Sequence, residues 1–290
     1  MDSSVIIGLL ARDCQDSLIR NIPKIERLCS FFADYHVVAV ENDSVDGTRE
    51  LLHDWAIRNP KVIVDSFEDH SQRLADSSYA RIAHMVYLRN RLMGHIGSLR
   101  APDIVVMMDI DVYDFDVDGM MDGITHAPYD WGALFANGRS MLPNHHYVRS
   151  QYDQYAIMAY DEEWCDMTIK KFTPHRQLRR GMALDKAVQR SDYYPVKSAF
   201  GGIGIYRYEA IKDLKYKTVM INERCQKAFC EHVPFHLEII QQGYKNYVCQ
   251  SLVVNYGIVN VKPWVAILMY NLPQVYEKLF YLDQCIRKTQ

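Results

Sequence analysis

The chain has 290 residues, with 33 Lys+Arg against 36 Asp+Glu for a formal net charge of −3, and it is 49% hydrophobic and 24% charged. Such a chain buries a core without staples, and the balance excludes a disordered, highly charged tail protein and a generally basic nucleic-acid binder. No nucleic-acid partner is therefore expected. Twenty Tyr contribute to a 12% aromatic content; a flat ring with a hydroxyl suits a wide groove for polar ligands as well as ordinary core and surface positions. Seven Cys form no CxxC pair, which fits a reducing compartment. Met1-Asp2-Ser3-Ser4 is no basic leader, the apolar run Val5–Ala11 is short for a signal peptide, and no apolar run reaches the ~18 residues of a spanning helix. A cytoplasmic location is the expectation.

Strand and helix signals alternate over the first 110 residues. Val5–Leu10 reads as a strand buried on both faces. Leu18, Ile22, Ile25, Cys29 and Phe32 recur at helical steps, with Pro23 interrupting or starting that helix. Val37–Val40 is the second strand. Asp46-Gly47-Thr48 opens a helix that Pro60 ends, and Val62–Val64 is the third strand. Ala80 to about Ile96 is a strong helix, and Ile104–Met108 is a fourth strand ending in Asp109-Ile110-Asp111. Beyond about residue 125 the alternation fades, with strands expected at Trp131–Phe135, Gly202–Tyr206 and Tyr247–Val254 and a polar loop plus helix over 161–192. Trp264–Leu282 is aromatic and amphipathic, predicting a helix packed on the domain, with peripheral membrane contact through 263–282 as the alternative. The expected organisation is one domain: a nucleotide-binding half (1–125), an acceptor and catalytic half (126–262) and a C-terminal amphipathic segment (263–290).

A βαβαβαβ order predicts an α/β fold with a mostly parallel, twisted sheet covered by helices on both faces. Ligands in such sheets sit beyond the carboxyl ends of the strands. Arg12 and Asp13, then Glu41, Asn42 and Asp43, then Asp65 and Ser66, then Asp109 and Asp111 all lie there. Five apolar residues deliver Asp109 and Asp111 to one strand end. Side chains i and i+2 of an extended strand share a face, so both carboxylates can approach one hard divalent cation, Mn²⁺ or Mg²⁺, that bridges to phosphate. An acidic turn that caps the next segment is the plainer reading.

Capping accounts for Asp46 and Thr48 in the turn Glu41-Asn42-Asp43-Ser44-Val45-Asp46-Gly47-Thr48; it accounts poorly for Glu41 and for Asp43, which can accept from a base or ribose. Arg81, His84, Leu88, Arg91 and His95 fall near one helix face, with Arg89-Asn90 on an adjoining strip. A guanidinium there meets a diphosphate, or is simply solvated. Phe200-Gly201-Gly202-Ile203-Gly204 allows close backbone approach. In Cys230-Glu231-His232-Val233-Pro234-Phe235-His236, Glu231 can orient or activate a sugar hydroxyl, and one His can complete a metal site. The plainer readings are a capping Glu, a satisfied His, or a zinc site from Cys230, His232 and His236 with Cys225 as fourth ligand. No GxGxxG follows the first strand, and neither GxxxxGK[ST] nor GxSxG occurs.

With these residues assembled, the chain resembles glycosyltransferases of the GT-A fold over residues 5–255. The resemblance rests on Val5 to Arg12, on the Glu41–Thr48 turn and on Asp109-Ile110-Asp111. It is most similar to the fungal capsule-associated α-1,3-mannosyltransferase family, through Arg81 with Leu88-Arg89-Asn90, Phe200-Gly201-Gly202 and Cys230-Glu231-His232. The resemblance implies a nucleotide-sugar donor, a glycan acceptor and a divalent cation. It places Asp43 at the base, Arg12 and Arg81 near base and phosphate, Asp109 at ribose or metal, Asp111 at the metal and Gly202 at the donor sugar. It gives Glu231 the catalytic, acceptor-facing position and His232 or His236 a third metal contact, with His236 the first choice and His232 then at the acceptor. The expected activity is metal-dependent transfer of a hexose from a GDP- or UDP-sugar, GDP-mannose first, with retention. The alternatives are an inverting GT-A transferase with Glu231 as base, and a haloacid-dehalogenase-like phosphatase with Asp109 as nucleophile.

Overall fold

The computed structural model describes residues 1–70, 78–142, 146–162, 174–222 and 227–258. The first half runs β1 (Ser4–Ala11), α1 (Gln15–Cys29), β2 (Asp34–Asn42), α2 (Thr48–Arg58), β3 (Val62–Phe67), α3 (Tyr79–Ser98) and β4 (Ile104–Asp109). It continues through β5 (Asp114–Phe115), α4 (Val117–Thr125), β6 (Trp131–Leu142), β7 (His146–Gln151) and α5 (Pro174–Val188). Then come β8 (Tyr193–Val196), β9 (Ile203–Arg207), β10 (Met220–Asn222), β11 (Lys227–Ala228), α6 (His232–Gln241) and β12 (Lys245–Ile258). The amphipathic segment 263–290 and Cys225 lie outside the described residues.

Ten strands form one sheet with the order β3-β2-β1-β4-β9-β6-β12-β5, β7 pairing with β6 and β8 with β12. Strands β3, β2, β1 and β4 are mutually parallel. Strand β9 runs antiparallel between β4 and β6, and β12 runs parallel to β6. Six of the eight strands on that path therefore point the same way, as the sequence pattern predicts. The three strands expected in the second half correspond to β6, β9 and β12, with Gly202 in the turn before β9; β6 and β12 extend to 12 and 14 residues. The weaker signal there has a physical reason: short antiparallel strands β5, β7 and β8 interrupt the regular helical crossovers.

Strand alternation splits the apolar residues between two cores. Val5, Ile7 and Leu9 of β1, with Val106 and Met108 of β4, meet α1, α2 and α4 on one face. Ile6, Val105 and Met107 meet α3, α5 and α6 on the other. Period-2 burial on both sides is why these strands read as continuous apolar runs. Pro23 does not interrupt α1, which runs through it. Pro23 sits on the exposed face, while Leu18, Ile22, Ile25 and Leu28 stay buried. The packed stripe offsets a proline cost of ~3 kcal/mol. Among the described residues no helix is long and apolar enough to cross a membrane, and Cys14, Cys29, Cys230 and Cys249 are free and buried.

Candidate active site

A cleft of about 440 Å³ opens beyond the carboxyl ends of β1, β2 and β4, within the usual range for a small-molecule site. Arg12 and Asn42 line its floor from the ends of β1 and β2. Arg81 and His84, one turn apart on α3, form one wall; Asp109 and Asp111 form the rim, facing Tyr152 and Tyr256. The strand-end rule thus locates the site.

The turns that build the floor are interlocked. Asp46 accepts from the backbone N–H of Thr48 at 3.0 Å and of Gln15 at 3.1 Å, so one carboxylate serves the N-termini of both α1 and α2. Asp13 N–H donates to Ser44 Oγ at 3.1 Å, and Asp13 Oδ1 accepts from Val45 N–H at 2.9 Å. Glu41 is fully buried and accepts from Ser44 N–H at 2.9 Å, from Arg49 Nε at 3.0 Å and from Ser66 Oγ. Burial pushes its pKa up, but the hydrogen bonds from Ser66, Ser44 and Arg49 outweigh it and leave the carboxyl below its ordinary value. Glu41 is therefore the structural anchor of this turn. Asp43 adopts φ 52° and accepts from the backbone N–H groups of Asp69 and His70, both at 3.1 Å, while Arg12 Nη1 stands 3.9 Å from its other oxygen. It holds the loop after β3 against the cleft floor and is not itself part of the cleft lining.

Asp109 closes β4, but Asp111 is already in the following turn, where Val112 N–H donates to Asp109 O at 3.3 Å. Both carboxylates line the same cleft because the chain turns there, not because a strand pleat aligns them. Gly201 and Gly202 support this turn. Gly202 O accepts from Asp109 N–H at 2.9 Å. Gly202 has φ +95°, and a Cβ on it would stand 3.0 Å from Val112 Cγ1; a Cβ on Gly201, at φ +66°, would stand 2.4 Å from Ala136 O. Both positions require glycine. Gly202 is buried and supports the carboxylate turn from behind, outside the cleft lining.

The acidic rim is crowded. Burial first, then the charges of Asp111 and Glu231, push the Asp109 carboxyl up to about 7 despite the opposing Arg89. Asp153, in the turn after β7 with φ 56°, is pushed well above the ordinary carboxyl range by burial and by Asp109 and Glu231, with Arg89 and Arg81 opposing. Four carboxylates thus converge from β4, its turn, the 153 turn and α6. All are oxygen donors, the ligand type a hard divalent cation takes, and of the four only Asp109 and Asp111 line the cleft. Among the described residues no group of three or more His, Cys, Asp or Glu is arranged to hold a metal ion.

Glu231 leads into α6 without capping it: no side-chain cap bond forms, and its carboxylate turns instead to Arg89 Nε at 2.9 Å. The two histidines depart from expectation. His236 is fully buried in the second core, with Nδ1 at 2.9 Å from Ser198 Oγ and Nε2 at 2.9 Å from Tyr206 OH. Both ring nitrogens are engaged there, so the third metal contact expected of His236 has no donor atom to use; it is a satisfied core histidine. His232 is likewise buried, its ring stacked on Phe200 at 4.0 Å. An acceptor sugar cannot reach it in this arrangement. Burial, then the Arg89 charge, hold both imidazoles well below their ordinary pKa and so neutral. The zinc alternative on Cys230, His232 and His236 finds no support, since His236 is committed elsewhere.

Three residues enter the site unannounced. Tyr152 and Tyr256 stack at 3.5 Å between ring centroids, and Tyr256 OH donates to Asp111 Oδ2 at 3.0 Å. The excess of Tyr hinted at such a wall but named no position. Asp153 carried no sequence signal. Arg89, which the sequence puts on the strip adjoining the Arg81–His84 face, is buried in the structure with Ile82, Leu88, Leu92 and Ile96 of α3.

No protein-family model matches the chain, and no curated protein matches it significantly. Among solved structures, a mannosyltransferase, PcManGT from Pyrobaculum calidifontis in complex with GDP-Man and Mn²⁺, superposes over 93% of this chain at 13% identity and a TM-score of 0.53. This chain covers 62% of that structure's length. S. aureus TarS 1–349 in complex with UDP-GlcNAc matches over 90% of this chain and 60% of its own, at 12% identity and a TM-score of 0.46. The likeness to the mannosyltransferase is one of architecture, and the fold of this chain is that of the GT-A glycosyltransferases.

Proposed function

We propose that this protein is a metal-dependent glycosyltransferase that moves a hexose from a nucleotide-diphosphate sugar to a hydroxyl of a glycan acceptor. The observation that carries the reading is the pairing, across one cleft, of the Asp109–Asp111 rim with the Arg12 and Arg81 guanidinium groups. Breaking a sugar–phosphate bond builds negative charge on the leaving diphosphate. Asp109 and Asp111 would hold a divalent cation, which supplies positive charge against that diphosphate. Arg12 and Arg81 lie where they can take up the remaining oxygens, and groups so placed stabilise charge most where it develops. Asn42 and the Asp43 turn border the β1–β2 end of the cleft, where a base would lie. The sugar would then extend past Asp109 towards Tyr152, Tyr256 and Asp153. Glu231, buried behind Asp109 and bonded to Arg89, would act on the acceptor hydroxyl.

GDP-mannose is the first choice of donor; the architectural likeness to a mannosyltransferase determined with GDP-Man and Mn²⁺ supports that choice. Retention of configuration is the first reading of the stereochemistry, with inversion by Glu231 as base the alternative. The dehalogenase-like phosphatase reading loses ground, because the Asp pair ends the fourth strand beside the antiparallel β9 rather than the first strand. The test is a panel of GDP- and UDP-sugars assayed for hydrolysis and transfer with Mn²⁺, with Mg²⁺ and in chelator. Metal-dependent release of the nucleoside diphosphate is expected. Turnover of a simple phosphoester, with no nucleotide sugar consumed, would overturn the reading.

A further inference from the structure

Arg89 sits on the apolar face of α3 with its side chain 3% exposed. Its Nε donates to Glu231 Oε1, 142 residues away, at 2.9 Å, and its Nη2 donates to Asp109 Oδ1 at 3.4 Å. Phe200 and Tyr216 flank the guanidinium at 5.1 and 5.7 Å from their ring centroids. Tyr216 is itself tied down: its backbone N–H donates to Asn90 Oδ1 and its carbonyl accepts from Asn90 Nδ2, both at 2.9 Å. Asn90 is the neighbour of Arg89 on the helix. The fork is therefore fixed at its root, on its faces and at its tip.

A buried ion chain of this kind adds little stability over an apolar filling. It does set position, because a planar guanidinium holds two carboxylates in one geometry in a way an ammonium cannot. Neither Arg89 nor Glu231 lines the cleft, so Arg89 is not placed to grip a diphosphate directly; that position belongs to Arg81, eight residues earlier on the same helix. We propose that Arg89 is a positioning residue, a rigid brace that sets Glu231 relative to Asp109 and so relates the acceptor side of the site to the donor side. The inference rests on the glycosyl-transfer reading for its catalytic consequence, though not for the brace itself.

The decisive variant is Arg89→Lys, which keeps a buried positive charge but cannot serve both carboxylates with one planar fork. Steady-state transfer should show kcat lowered by ~10–100-fold, the usual effect of losing an orienting partner, with the KM for the nucleotide sugar changed less than about threefold because the closer contact is the one to Glu231. On a Glu231→Gln background, Arg89→Lys should lower kcat no further. A wild-type kcat in the lysine variant, a loss confined to donor KM, or multiplicative effects in the double variant would each overturn the proposal. Should Arg89→Lys not fold, Phe200→Leu loosens the guanidinium while leaving every charge in place. It should lower kcat by ~3–10-fold at unchanged donor KM, and an unchanged kcat would count against the brace. A wild-type protein that turns over no nucleotide sugar removes the functional reading alone. The brace is then decided by melting temperatures around the Arg89→Lys/Glu231→Gln cycle: non-additive shifts support it, and additive shifts refute it.

Discussion

Two carboxylates near strand ends, Glu41 in β2 and Asp109 closing β4, behave in opposite ways. Glu41 accepts hydrogen bonds from Ser44, Ser66 and Arg49, and these overcome its burial and hold its pKa low. Asp109 faces Asp111, Asp153 and Glu231 with Arg89 as its close cationic partner, and its pKa is pushed up to about 7. Burial pushes both carboxyls up; at Glu41 the donors outweigh it, and at Asp109 the opposing Arg89 does not. The difference is in the number of donors. A carboxylate supplied with partners builds the turn it sits in, whereas one crowded by like charge holds its proton to higher pH, a perturbation typical of functional sites.

The sharpest way to break this comparison is to remove the rim. Asp111→Ala should lower transfer by ~10²–10³-fold and abolish the metal dependence of nucleotide binding, read by calorimetry with GDP and UDP in the presence and absence of Mn²⁺. Glu231→Gln should cost ~10²-fold or more in kcat while sparing donor affinity, the mark of a group acting only in the reaction. Full transfer by that variant would discard its role. Glu41→Gln should show the reverse: a stability loss of ~1.5–3 kcal/mol in urea unfolding with a nearly unchanged donor KM.

The pH dependence of unfolding separates the two groups by sign. The folded pKa of Glu41 lies below its ordinary value of 4.5, so its stabilisation is complete above that pH and is lost as the solution is acidified through the folded value. Asp109 runs the other way. Its folded value of about 7 exceeds the ordinary 3.8, so the stability it gives is full below about pH 4, declines as pH rises towards 7 and stays lost above. In chelator, Asp109→Asn should therefore gain stability relative to the native protein between pH 5 and pH 8, and a relative loss would contradict the crowded-rim picture. The smallest effect is expected of Tyr256→Phe. It removes one hydrogen bond to Asp111, worth ~0.5–1.5 kcal/mol, and should shift Mn²⁺ affinity by no more than about tenfold.

Much of the cleft floor and of its α3 wall was legible in the chain itself. Apolar runs that end in Arg12, Asn42 and Asp109 declare strands, and chain direction in a parallel sheet brings those ends to one edge. The helix carrying Arg81 and His84 follows from its periodicity, and both side chains do line the cleft. The side of the cleft formed by Tyr152 and Tyr256 was far less legible. Tyr152, Asp153 and Tyr256 come from a turn and a strand end in the irregular half, where no crossover rule predicts which residues meet.

Local pattern, burial period and strand direction are properties of short stretches, and they sufficed for the α/β architecture and for the edge on which the site lies. Contacts between distant stretches were decided only when the sheet closed. The meeting of Arg89 with Glu231, the retreat of His236 to Ser198 and Tyr206, and the turn that swings Asp111 beside Asp109 all depend on packing across the two cores. No spacing within the sequence encodes a distance between residues that the chain brings together from 142 positions apart.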